Sequence, residues 1–476
     1  MILPVNATVS GMPAALAVSG GYSLVGGGSS GFRAALDPTG DVLLGAVWAE
    51  VVTEEDISEE ERRRGRAPTS PPPGTEEHPA SLEEIGYKHV RTQPGWRRLP
   101  SGNIARRAIL HGHRLPFKRR SKKEGFHQAC SRQMDAEFVG ERVVETVRML
   151  RTKALVAAPV QDPVELVRRD HMITPSFMVK KKGMSKKRMV YNQKRCNREF
   201  RKKRVKLENL SMVDKAAKRS GYAFSADVGA IKNGGKDGYQ MIEIDPRDQK
   251  YLTSDQGEKV HQASLGPPDR QAILNQAGVD IDGMTDEEIA QYWAPVPRYV
   301  MCAALPFGYQ NSVWLFTLVQ REQARVLREE YGISCTHYLD DWIFYPESAE
   351  EGWRWQPIID KVWADHGQCR QPGKGTVDAD GTWNVVQELE HLGSGISFKT
   401  NVFFVTPDRL KQIRSEGRRI LTSYDRHNGR IGALWLAQFA GLVMSTHVAV
   451  RPARFRCRPL FDDLVRGRAY QAKFTN

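Results

Sequence analysis

His337-Tyr338-Leu339-Asp340-Asp341-Trp342-Ile343-Phe344-Tyr345 sets two adjacent carboxylates inside an aromatic and β-branched run. Strand residues alternate between faces, so neighbouring carboxylates reach one cleft only if the chain turns at them. Tyr338 and Leu339 are then expected in one strand, Trp342 to Tyr345 in its partner, and Asp340-Asp341 at the tip of a β-hairpin. Side-by-side carboxylates repel and are costly to desolvate unless cations neutralise them, and oxygen-rich sites suit Mg²⁺ or Mn²⁺. A metal-ion site is one reading of these residues; a solvated Asp-Asp turn is the other.

The 476 residues leave room for two to four domains, and 40% hydrophobic with 26% charged residues is ordinary for a globular chain. A net charge of +14 favours a polyanionic partner, because clustered Lys and Arg displace counterions from phosphates. Cys130, Cys196, Cys302, Cys335, Cys369 and Cys457 show no C-x-x-C spacing, which argues against a zinc site or disulfide framework. An intracellular, reducing compartment follows as the expectation, nuclear and organellar not being distinguishable. No apolar run approaches the roughly 20 residues of a membrane span, so no membrane partner is expected. Met1 to Ser30 lacks Arg and Lys, and neither a secretory signal nor a transit peptide is expected there.

Residues 1–52 are Gly-, Ala- and Ser-rich and carry no functional signal. From Thr53 the chain turns to acidic and basic blocks and then Pro71-Pro72-Pro73-Gly74, a linker composition that buries too little apolar area to offset ordering entropy. A basic tract follows, Arg106-Arg107 through Lys118-Arg119-Arg120 and Lys122-Lys123; nucleic-acid contact and a solvated surface run are both open readings. Asp135 to Ala154 has apolar residues at helical spacing. Ile173 to Gly183 and Lys186 to Asn192 read as two strands joined by a Gly-containing basic turn. About half of the residues from Lys180 to Lys206 are Lys or Arg, with Glu199 the only acid, so the hairpin is either a solvated face or a grip on a phosphate chain.

In this order, a basic hairpin, Leu305-Pro306-Phe307-Gly308 before a helix (Val313 to Leu327), and Tyr338-Leu339-Asp340-Asp341, the sequence from about Ile173 to Val465 resembles reverse transcriptases of the DIRS and Ty3 retrotransposon kinds. The resemblance implies an α+β right-hand polymerase fold with an antiparallel palm sheet. Its parts would be an N-terminal extension over 1–125, fingers over 126–220, a palm over 221–404 and a thumb-like helical region over 405–476. Phe224 to Gly229 resembles the first acidic motif, which makes Asp227 the third metal-binding carboxylate beside Asp340 and Asp341. Lys181 and Arg188 fall where fingers residues hold the incoming triphosphate, Phe307 and Gly308 border the nucleotide, and Tyr239 lies beneath its sugar and excludes a 2′-hydroxyl. Lys374 is a candidate for the acid that protonates pyrophosphate, and Leu392-Gly393 matches the hairpin that grips the primer.

Two insertions depart from the family pattern. Ala230 to Lys236 splits the first motif, and either loops out through Asn233-Gly234-Gly235 or displaces Asp227. Gln256 to about Pro297 is expected as a surface subdomain, with a short helix starting at Thr285. Trp353 to His366, Pro407 to Thr422 and Leu434 to Ala449 read as helices. Downstream ribonuclease H, integrase or recombinase domains are not expected.

The activity implied is RNA-directed DNA polymerisation: deoxynucleotides (dNTPs) added to a DNA or RNA primer on an RNA template, by two Mg²⁺ or Mn²⁺ ions about 4 Å apart. The rival expectation is a domesticated, inactive relative serving as an RNA-binding or structural subunit of a larger ribonucleoprotein. An RNA-templated RNA polymerase is disfavoured by Tyr239.

Overall fold

The computed structural model describes residues 93–476 apart from 181–186, 218–220, 230–237, 267–269, 280–281, 291, 372, 379–380, 427–430 and 475–476. The acidic and Pro-rich linker, Lys181 and the insertion from Ala230 to Lys236 thus lie outside the described residues. The strands in chain order are β1 (Phe126–His127), β2 (Leu155–Ala157), β3 (Met172–Lys180), β4 (Lys187–Tyr191), β5 (Phe224–Gly229), β6 (Thr253–Asp255) and β7 (Tyr299–Cys302). They continue with β8 (Cys335–Tyr338), β9 (Asp341–Phe344), β10 (Cys369–Arg370), β11 (Glu388–His391), β12 (Ser394–Ser397) and β13 (Val402–Phe404). Three sheets result: a mixed one ordered β1-β3-β6-β7-β2 with β4 hairpinned onto β3, an antiparallel one ordered β10-β5-β9-β8, and an antiparallel one ordered β11-β12-β13.

The acidic hairpin is β8–β9, and its turn falls one residue earlier than alternation predicts. Tyr338 pairs with Asp341, so only Leu339 and Asp340 are left to turn the chain, and Asp341 opens the second strand. Leu339, expected in a strand, takes a left-handed φ of 58°, as the first position of a two-residue hairpin turn requires. That conformation costs a bulky residue about 1 kcal/mol or more, offset here by its packing against the buried cluster of the mixed sheet.

Alternation along β9 explains what lies on each side of the four-stranded sheet. Trp342 and Phe344 face Trp363 of the helix Ala349–Asp365, with Phe224 stacked on Phe344 at 4.8 Å and Trp383 closing the cluster. Ile343 and Tyr345 face the other way, onto Ile396 of the three-stranded sheet and Phe398 just beyond β12. Each fully buried aromatic contributes about 2–3 kcal/mol of apolar burial, so both faces are strongly specified. Asp227 and Asp341 share the parity of Ile343 and lie at the end of that second face.

Several elements differ from their sequence expectation. The helix expected over Asp135 to Ala154 breaks into Arg132–Ala136 and Val139–Arg151, because Phe138 adopts φ 53° and lies under Lys187, whose ammonium is 4.2 Å from its ring. The helix after Leu305-Pro306-Phe307-Gly308 runs Ser312–Arg325 and continues as a π-helical turn, Val326–Glu330. The second insertion is not a mere appendage: Val260 and Val296 bury against Val143 and Val147 of the helix Val139–Arg151. Its short helix Asp286–Ile289 carries the expected Thr285 cap. Residues from Gln93 onward also belong to the body, since Trp96 is fully buried, packs edge-on to His366 at 4.6 Å and donates its indole N–H to the His366 carbonyl.

Candidate active site

The register between β5 and β9 sets Asp227 directly opposite Asp341. The Val228 N–H also donates to the Asp340 carbonyl at 2.9 Å, so the strand carrying Asp227 is bonded onto the acidic turn itself. Burial first, then the neighbouring Asp227 and Asp340, push the Asp341 carboxyl far above the ordinary carboxylate range, with Lys374 opposing. Asp340 is also raised, chiefly by burial and then by Asp227. Three carboxylates here hold more negative charge than the surrounding groups neutralise.

Lys374 supplies part of the balance, its Nζ lying 2.8 Å from Asp227 Oδ2. It is delivered by a strap that lies flat on β5: Thr376 N–H donates to Ser225 O at 2.9 Å, and Ser225 N–H donates to Thr376 Oγ1 at 2.9 Å. Gly375, at φ 71°, permits this, since a Cβ there would collide with the Ser225 carbonyl. Among the described residues no group of three His, Cys, Asp or Glu side chains stands arranged to hold an ion. A divalent cation fits the donor set in another sense, because hard carboxylate oxygens in charge excess are its preferred ligands. Asp227 would exchange its Lys374 contact for such an ion.

Arg188, on β4, points its guanidinium over the Phe307 ring at 4.4 Å and also acts on the charge of Asp340. Tyr239 is packed between Phe307 (4.9 Å) and Phe316 (5.3 Å), and burial and Asp340 push its phenol well above the usual range. The structure therefore brings Arg188, Phe307, Tyr239 and the acidic residues together. Gly308, at φ 113°, has the Tyr191 carbonyl where a Cβ would go, while Tyr191 N–H donates to Phe307 O at 2.9 Å. Its missing side chain joins β4 to the Phe307 loop. Leu392 and Gly393 form the two-residue turn between β11 and β12, both at positive φ. Beside that turn the buried His391 is held down at about 4 by desolvation, and Asp227 acts on it in the opposite direction.

Two supporting residues escaped the sequence reading. β8 is the edge of its sheet, and its outward groups are satisfied by an ion pair: the Glu208 carboxylate accepts from the His337 N–H at 2.8 Å, while Arg328 donates to the Cys335 carbonyl at 2.7 Å and to Glu208 at 2.7 Å. Glu208 and Arg328 thus stand where a further strand would pair. No local pattern marks them, since Glu208 lies 129 residues before His337.

No protein-family model matches the sequence, and no curated protein matches it. Solved structures similar to it include the foamy viral protease-reverse transcriptase in complex with RNA/DNA hybrid, at TM-score 0.45 and 15% identity over 74% of this chain and 36% of that one. Another is the foamy viral protease-reverse transcriptase dRH in complex with ds DNA, at TM-score 0.44 and 15% identity over 74% of this chain and 45% of that one. The chain spans less than half the length of either. Among the described residues no helix is long and apolar enough to cross a membrane.

Proposed function

We propose that the protein is an RNA-directed DNA polymerase with a reverse-transcriptase-like fold, adding deoxynucleotides to a primer paired with an RNA template. The observation that carries this is the pairing of Asp227 with Asp341 beside Asp340, which draws three carboxylates from two distant sequence motifs onto one sheet end. In this reading residues 126–220 are fingers, 221–404 the palm and 405–476 a thumb-like region. The β5–β9 register, which sets Asp227 opposite Asp341, supports the catalytic reading over the alternative of an inactive subunit of a ribonucleoprotein.

Asp227, Asp340 and Asp341 would hold Mg²⁺ or Mn²⁺, which when bound activates the primer hydroxyl and stabilises charge on the triphosphate. In the reaction the primer 3′-oxygen forms a bond to the α-phosphorus while the bond to pyrophosphate breaks. Arg188 supplies a fixed cation to the triphosphate side, held in place by Phe307. Lys374, beside Asp227, would give a proton or positive charge to the departing pyrophosphate. The half-buried Tyr239 ring, packed on Phe307, would wall off the sugar.

Template-primer assays are expected to show deoxynucleotide incorporation that requires Mg²⁺ or Mn²⁺; no incorporation by the wild-type chain with either metal would refute the assignment. Tyr239→Ala is expected to relax sugar selection, raising ribonucleotide relative to deoxynucleotide use by roughly 10- to 100-fold, the usual range for a small steric discrimination. Unchanged selectivity, measured as the ratio of kcat/KM values, would remove Tyr239 from that role.

A further inference from the structure

We infer that a second nucleic-acid contact lies outside the catalytic cleft: a basic strip, built from two segments far apart in sequence, that holds a single RNA strand by its phosphates. Residues 118–124 and 194–206 carry thirteen Lys and Arg against only Glu124 and Glu199. The fold lays the segments side by side. Lys118 N–H donates to Glu199 O at 2.8 Å, Arg201 N–H donates to Pro116 O at 2.7 Å, and Phe117 and Phe200 form an antiparallel bridge with rings 5.0 Å apart.

Like-charged segments repel, so their alignment needs a reason beyond stability. Lys118, Arg119, Arg120 and Lys123 on one segment, and Arg198, Arg201 and Lys202 on the other, are all exposed. Among the described residues none of these seven has an acidic side chain within ion-pair distance, and Lys122 has Glu124 alone, at 3.8 Å. Between the segments lies a recess of about 340 Å³ lined by Arg120, Lys122, Lys123 and Arg195, by Phe126, and by the two acids Glu124 and Glu199. The rings there are already covered by cations, Lys123 over Phe117 at 4.7 Å and Arg195 over Phe126 at 3.8 Å. A base stacking on these rings would have to displace a cation, which favours backbone contact without sequence readout. The cations of the two segments flank the bridged pair Phe117 and Phe200, so a single phosphate chain laid along it meets both sets.

The strip also has a fixed relation to the site. Asn311 donates to the Arg201 carbonyl at 3.0 Å and accepts from the Lys203 N–H at 2.8 Å, and Gln310 donates to the Phe200 carbonyl at 3.0 Å. These bonds tie it to the loop that follows Phe307-Gly308. One half of it, 118–124, precedes the stretch that resembles polymerases. The choice of RNA as the strand rests on the polymerase reading; the binding itself does not.

The test is fluorescence anisotropy of the full chain with a labelled, unstructured RNA of about 30 nucleotides, titrated from about 50 to 300 mM salt. Arg119→Gln, Arg120→Gln, Lys122→Gln and Lys123→Gln together are expected to raise Kd about tenfold or more near 0.15 M salt. The log–log salt slope should become shallower by about 3, at about 0.7 per lost phosphate contact. Arg198→Gln with Lys202→Gln should act in the same direction from the other segment. Wild-type Kd and slope in the first variant, or an effect confined to one segment, would overturn the strip. So would binding of phosphatidylserine vesicles or single-stranded DNA with no measurable binding of RNA. Asp340→Asn with Asp341→Asn should bind RNA as the wild type does, so loss of polymerase activity and loss of the strip are read separately.

Discussion

Asp340→Asn combined with Asp341→Asn is expected to lower deoxynucleotide incorporation by at least about 10³-fold, since one preorganised electrostatic group is typically worth about 10²–10³ and two are removed. Unfolding is excluded as the cause by the direction of the accompanying stability change. In the metal-free protein these carboxylates sit half-buried beside Asp227, and burial together with mutual repulsion disfavours their charged forms. Asn keeps the shape and removes the repulsion, so the variant should melt above the wild type in buffer containing a chelator. Mg²⁺ should raise the melting temperature of the wild type, because an ion that binds only the folded chain stabilises it by mass action. It should leave that of the variant unchanged. Incorporation surviving in the variant, or a variant that responds to Mg²⁺ as the wild type does, would remove Asp340 and Asp341 from catalysis.

What the sequence showed of this arrangement depended on distance along the chain. The hairpin, the basic β3–β4 pair and the helix after Phe307-Gly308 are local, and hydrophobic alternation with turn residues reveals them. The turn itself was misplaced by one residue because Leu339 is a poor candidate for positive φ on propensity; only the Tyr338–Asp341 pairing requires it. Asp227 was ambiguous for a different reason. An insertion within a motif leaves the linear spacing uninformative, whereas the strand register is set by Phe224, Ala226 and Val228 burying against Trp342 and Phe344. Lys374 entered only through the family resemblance and Gly375 not at all, since the strap that makes them matter is held by hydrogen bonds to Ser225, about 150 residues away.

Glu208→Ala is expected to destabilise the fold by about 3 kcal/mol, the low end for breaking one partner of a buried ion pair, because Arg328 retains some exposure to water. The loss has two parts. Among the described residues, Arg328 is left with only the Cys335 carbonyl, and the His337 N–H loses its acceptor on a strand edge that no other strand covers. Glu208→Gln keeps an acceptor for His337 and should cost less, which separates the charge from the hydrogen bond. The pH dependence has a definite sign. Arg328 and the His337 N–H, working against burial, hold the Glu208 carboxyl below its unfolded value near 4.5. The unfolded chain therefore binds a proton more readily, so this contribution is complete above that value and is lost as pH falls through the lower, folded one. In chemical denaturation the wild type should lose stability on acidification below about pH 5 more steeply than Glu208→Gln. The hairpin carrying Asp340 and Asp341 hangs from this edge, so Glu208→Ala should also lower incorporation at temperatures well below its melting point. Equal stability of wild type and Glu208→Ala at neutral pH would show that β8 keeps its edge without the pair.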